Sequence, residues 1–157
     1  MSTLIAAVTS GNAQLLKELL KDASQEEATD ALVEAAEKGR TTCLELLLDK
    51  GDPQVDNCLP LCAAALFNHT DCVRLLLPVS DQSGIQHSVR LAASEDNQSM
   101  FDVVYPYVHK EALFQSIHGD KRWQLMDKID QFIARYEATQ MTAAVSGFGV
   151  HKQGRKL

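Results

Sequence analysis

Cys58, Cys62, His69 and Cys72 come nearest to a reactive constellation, because three thiolates and an imidazole can bind a tetrahedral zinc ion. Their spacing lacks the paired two-residue knuckles of structural zinc modules. All four cysteines, Cys43 included, sit among apolar neighbours, where a reduced thiol packs as a small hydrophobe. Reduced core cysteines with no metal are therefore expected. Cys58, nearest a loop, is expected to react first.

Other chemistry fares less well. Gly149-Val150-His151-Lys152-Gln153-Gly154-Arg155-Lys156 echoes a phosphate-binding loop. Such a loop needs a preceding strand, a Lys-Ser or Lys-Thr pair and a following helix, and these are missing here. His69, His87, His109, His118 and His151 are scattered, and none lies in a recognisable nucleophile motif. Glu26, Glu27, Asp52, Asp56 and Asp81 fall in polar connecting stretches and read as a solvated edge. The expectation is no enzyme and no cofactor.

The elements that hold these residues follow from composition and pattern. The chain has 157 residues, 45% hydrophobic and 23% charged, which suits one globular domain or two small ones. Its net charge of −6 disfavours nucleic acid or an anionic membrane as partner. No apolar run is long enough to span a bilayer, and residues 1–20 make no convincing signal peptide, so the cytoplasm is the expected location. From about Thr142 the sequence turns to TAAVSGFGVHKQGRKL, without acidic residues, and a flexible basic tail is expected over 141–157. Without Lys152, Arg155 and Lys156 the chain holds 12 basic against 21 acidic residues, a charge that would steer a basic protein partner toward it.

The chain also repeats itself. Segments beginning at Leu4, Leu32, Leu61, Val89 and, more loosely, Leu113 each carry an apolar stretch, a polar turn and a second apolar stretch. The turns fall at Gly11, Gly39, Asn68, Asp96 and Gly119, spaced by 28, 29, 28 and 23 residues. Leu15, Leu16, Leu19 and Leu20 recur at helical spacing, as do Cys43, Leu44, Leu47 and Leu48. Asn12, Thr41 or Thr42, Thr70 and Asn97 suit the caps of the second helices. Alanine pairs in the first helices allow close packing, and Pro78 and Pro106 should end or kink two second helices. No single pair can bury its own apolar face, so the pairs must stack. The fold expected is all-α, an α-solenoid of four to five helix-turn-helix repeats over 1–140. The repeats span about 2–28, 29–57, 58–84 and 85–110, with a capping segment at 111–138 built around Trp123, Met126, Ile129, Phe132 and Ile133.

At these residues the sequence resembles the ankyrin-repeat family. Leu59-Pro60-Leu61-Cys62-Ala63-Ala64-Ala65, then Asn68-His69, then Leu75-Leu76-Leu77 come closest to that family's pattern. Asp30-Ala31-Leu32-Val33-Glu34-Ala35-Ala36, Gly39-Arg40 and Leu46-Leu47-Leu48 follow it one repeat earlier. The period falls short of the family's, so short or absent hairpins between repeats are expected. In the pattern Cys62 takes a consensus histidine slot, Cys72 an apolar slot, and His69 a turn-capping slot.

The resemblance implies a protein-interaction module whose partner docks on the concave face. The groove positions it implies are Glu37 and Lys38, Leu66 and Phe67, Ser94 and Glu95, with Thr9 and Ser10, or the pair one residue earlier, in the first repeat. The implied tips include Glu26, Glu27 and Thr29, then Val55, Asp56 and Cys58, then Ser83 and Gln86. Leu66 and Phe67 stand out as a bulky apolar pair among polar equivalents. Two alternatives within binding remain open: an inhibitor or immunity protein that occludes an enzyme, and a secreted bacterial effector.

Overall fold

The computed structural model describes residues 2–153, and the side chains of 2–146. Among the described residues ten helices follow in order, the first eight as four pairs: α1 (Thr3–Ser10) and α2 (Ala13–Leu19), α3 (Gln25–Glu37) and α4 (Thr41–Leu48), α5 (Val55–Leu66) and α6 (Thr70–Leu76), α7 (Gln82–Ser94) and α8 (Gln98–Val104); α9 (Lys110–Gln115) and α10 (Arg122–Gln153) come after them. No strand occurs among the described residues. The chain is an all-α helical-repeat solenoid.

It divides into two compact units, Met1–Ser116 and Ile117–Leu157. The division falls inside the fifth segment, so α9 belongs to the first unit and α10 to the second. In the first unit α1, α3, α5 and α7 pack side by side as one layer. Helices α2, α4, α6 and α8 pack side by side as the other. Between the layers lie Val8, Leu16, Leu32, Leu44, Leu61, Leu76, Val89 and Phe101, all fully buried. The alanine pairs sit at this seam, where Ala35, Ala36, Ala64 and Ala93 are fully buried and their size lets the helices close up.

The repeat register shows in the backbone. Gly11, Gly39, Asn68, Asp96 and Gly119, the five turn positions in the sequence, all have positive φ, from 54° to 99°. The left-handed residue lets the chain leave one helix and start the next, and glycine, asparagine and aspartate tolerate it best. Asn12 and Asn97 cap α2 and α8 by accepting from the amides of Leu15 and Met100 at 3.0 Å. The threonine caps need correction. Arg40 and His69 occupy the cap positions of α4 and α6, and Thr41 and Thr70 are the first helical residues. Both prolines act as expected, since α6 and α8 each give way to a single 3-10 turn at Leu77–Val79 and Tyr105–Tyr107.

The start of α5 departs from anything in the repeat pattern. Asp56, Asn57 and Cys58 are left-handed in succession, with φ of 47°, 59° and 60°. Successive L-residues in this region cost about 1–2 kcal/mol each. The turn carries the Cys58 side chain inward against α7, where a Cβ on Gly84 would stand 2.4 Å from Cys58 Cβ. Only glycine lets the two helices approach this closely.

The second unit is built on α10, whose apolar residues Ile129, Phe132 and Ile133 recur at helical spacing. The composition change near 141 does not end it, for the helix runs on to Gln153. Ala138, Gln140, Met141, Ala143 and Ala144 favour helix, and this local preference offsets the glycines beyond. Trp123, expected on an apolar stripe, is 66% exposed, with the Arg122 guanidinium 4.6 Å above its ring. Arg155 and Lys156 of the expected tail lie outside the described residues.

Candidate protein-interaction face

The two residues before each left-handed turn are level across the layer, because each turn is fastened to the repeat before it. Arg40 Nη2 donates to the Thr9 carbonyl at 3.0 Å. His69 Nε2 donates to the Glu37 carbonyl at 2.9 Å, which places the proton on Nε2. Asn97 Nδ2 donates to Asn68 Oδ1 at 3.0 Å. These contacts hold Thr9-Ser10, Glu37-Lys38, Leu66-Phe67 and Ser94-Glu95 in one row, at the turn end of the layer's outward face.

Along this row Lys38, Leu66, Phe67, Ser94 and Glu95 are exposed and Glu37 is half-buried. Leu66 and Phe67 are 51% and 53% exposed. Every other residue of the row is polar. Glu34, one turn back on α3, ties two neighbours by accepting from Thr9 Oγ1 at 3.4 Å and pairing with Lys38 Nζ at 3.9 Å. Leu59, not recognised in the sequence as part of this face, is 39% exposed. Its signal was the seven-residue step to Leu66, two helical turns along α5 on the same side.

The tip residues divide. Asp56 is exposed on the left-handed turn, and Gln86 is half-buried on α7. Cys58 is a correction, being fully buried under Gly84 and so unable to meet a partner. Thr29 is also structural, since its hydroxyl donates to Gln25 O at 2.8 Å and accepts from the Asp52 amide at 2.9 Å.

The zinc-like set does not converge. Cys58 Sγ lies 3.5 Å from Asp81 Oδ1, Cys72 Sγ lies 3.7 Å from Thr41 Oγ1, and Cys62 Sγ lies 3.9 Å from Ser88 Oγ. His69 is engaged by Glu37. Among the described residues no group of three or more His, Cys, Asp or Glu is placed to hold a metal. Burial raises all four thiols above their ordinary range by disfavouring the thiolate. His87 is shifted the other way, first by partial burial and then by the Arg90 guanidinium, whose Nη2 lies 3.3 Å from His87 Nδ1.

A profile of ankyrin repeats in three copies matches residues 4–90, from α1 through most of α7. The chain belongs to the ankyrin-repeat family. Comparison with curated proteins finds no match. Ankyrin repeats are generally protein–protein interaction modules. Helices α8 to α10 lie beyond the matched residues. No helix among the described residues is long and apolar enough to cross a membrane.

Proposed function

We propose that this ankyrin-repeat protein is a non-catalytic binding module whose protein partner docks on the outward face of α1, α3, α5 and α7, centred on Leu66 and Phe67. One observation carries the reading. Two adjacent large apolar side chains stand half exposed at the middle of a row that is otherwise polar. Scattered apolar residues need no explanation on a surface, but a central apolar cluster with a polar rim is how interaction sites are built. Glu37, Lys38, Ser94 and Glu95 supply that rim. Asp56 and Gln86 supply contacts nearer the tips.

A scaffold and an inhibitor would use the same face, and only the partner's identity separates them. The reading is tested by placing a photo-crosslinking residue at Phe67 and, as a control, at exposed Asp49 on the second layer. Crosslinks formed at Phe67 and not at Asp49 support the face. Equal capture at both positions, or capture at Asp49 alone, overturns it.

A further inference from the structure

We propose that the face made by α3, α5 and α7 is self-complementary, and that a second copy of this chain docks on it about a two-fold axis running along α5. This rests on the docking face proposed above and names its occupant.

Register sets up the match. One residue before the left-handed turns at Gly39, Asn68 and Asp96 stand Lys38, Phe67 and Glu95. Six residues before the same turns stand Val33, Cys62 and Arg90. Helix α5 lies between α3 and α7. When two copies meet face to face about an axis along α5, each residue of α5 meets its own counterpart. Each residue of α3 then meets the residue at the same register on α7 of the second copy.

A charge on that axis would face itself. The outward residues of α5, namely Leu59, Cys62, Leu66 and Phe67, carry none. Off the axis the charges are opposite. Lys38 meets Glu95 of the second copy, and Glu95 meets its Lys38. Arg90 comes over Val33, between Asp30 and Glu34 on α3, whereas Glu37 falls opposite the uncharged Ser94. Every contact occurs twice in the pair.

Within one copy these charges are poorly met. Lys38 Nζ stands 3.9 Å from Glu34. Arg90 Nη1 donates to the Ser116 carbonyl at 2.9 Å and to its hydroxyl at 3.1 Å, both uncharged. Among the described residues no ion pair involves Asp30, Arg90 or Glu95. The other face-to-face axis, running across the helices, would lay α3 on α3. It would bring the acidic stripe of Asp30, Glu34 and Glu37 onto the same carboxylates, which like-charge repulsion disfavours.

The face is large enough for a reversible dimer. Helices α3 and α7 have 13 residues each and α5 has 12. Side by side they cover roughly 30 by 20 Å, so the pair buries about 1,200 Å², the lower limit of a specific interface. Association at about micromolar concentration or above suits that area. The apolar strip carries most of the affinity, and the charges choose the axis.

The test is sedimentation equilibrium of the full chain between about 1 μM and 1 mM, the range where so small an interface associates. The parent should pass from one chain mass to two. Phe67→Ala should weaken association by about tenfold or more. Lys38→Glu and Glu95→Lys should each weaken it about tenfold, since each sets like charges opposite at two places. An equal mixture of these two variants should associate as well as the parent, because both repulsive contacts become attractive in the mixed pair. Misfolded variants could not recover on mixing, and neither would a pair built on the crossed axis. A dimer that survives Phe67→Ala, or one that mixing does not restore, would overturn the proposed arrangement. A chain that stays monomeric while its Phe67 photo-crosslinker captures a different protein would overturn the second copy and leave the docking face standing. A monomeric chain whose Phe67 probe captures nothing would overturn both.

Discussion

The imidazole of His69 lies across the α-carbon of Gly39, so close that a Cβ there would stand 2.5 Å from Nδ1. The same ring donates through Nε2 to the Glu37 carbonyl. It therefore locks the turn of one repeat onto the turn of the previous one, and it needs a bare backbone to do so. Gly11 offers a control. Its φ of 71° matches the 66° of Gly39, but a Cβ there would meet only the Arg40 guanidinium, at an ordinary 3.6 Å.

Gly11→Ala should thus cost only the left-handed penalty of about 1 kcal/mol. Gly39→Ala should cost about 3 kcal/mol, because displacement of a held ring is added to that penalty. In a His69→Ala background the difference between the two glycines should vanish. Denaturant unfolding of the parent, the three single variants and the two double variants checks this, and equal costs at Gly11 and Gly39 would show that the ring simply rotates away.

Acid should weaken the fold through two identifiable groups. The Glu27 carboxylate accepts from the Ser24 amide at 2.9 Å while Ser24 Oγ accepts from the Glu27 amide at 3.1 Å, a reciprocal cap on α3. These bonds hold Glu27 below its ordinary value of 4.5. Its contribution is complete above that value and is lost as pH falls through the lowered one. His87, held below its ordinary 6.5, contributes fully above 6.5 and loses that contribution as pH falls through its own lowered value. Glu27→Gln should therefore flatten the lower part of the stability–pH curve, and His87→Gln the part just below 6.5. A curve unaltered by either change would remove these groups as the cause.

The cysteines should titrate in an order that the sequence did not give. Cys62 is the half-exposed one, while Cys43, Cys58 and Cys72 are buried. Cys62 should react first with a small alkylating reagent, slowly at neutral pH because burial raises its thiol, and faster as pH rises. The other three should react only on unfolding, and a chelator should leave the melting temperature unchanged. Peptide mapping of the first alkylated cysteine decides it, and early labelling of Cys58 would contradict its burial.

What the sequence disclosed, and what it hid, divides on physical grounds. The turns at Gly11, Gly39, Asn68 and Asp96 were legible because few residue types tolerate positive φ, and the leucine runs were legible because helical spacing marks a buried face. The threonine caps at α4 and α6 were misread, since Arg40 and His69 hold those positions while also reaching the preceding repeat. Cys58 was misplaced because three left-handed residues in a row leave no trace in periodicity, yet they swing its side chain from the tip into the core. Leu66 and Phe67 were identifiable as an anomaly, apolar where every other repeat is polar. Asp30 and Glu34 come to lie across α5 from Arg90 only when the helices are set side by side, and spacing along the chain cannot show that.

Phe67 bears the sharpest consequence. It sits at the end of α5 with φ −88° and ψ 8°, and 53% of its surface faces solvent. A ring that filled a gap in the core would be covered, and its truncation would cost about 3–5 kcal/mol of stability. An exposed ring gives up little on truncation, so Phe67→Ala should leave stability within about 0.5 kcal/mol. Binding is where the change should appear, as a loss of about 2 kcal/mol or more once a partner is in hand, because central aromatic side chains carry most of an interface's affinity. Glu95→Ala, on the rim of the same row, should cost less than about 1 kcal/mol of binding. Thermal unfolding and titration calorimetry on the same two variants separate the outcomes. A Phe67→Ala protein that unfolds early would return the ring to the core, and one that binds as well as the parent would move the interface elsewhere.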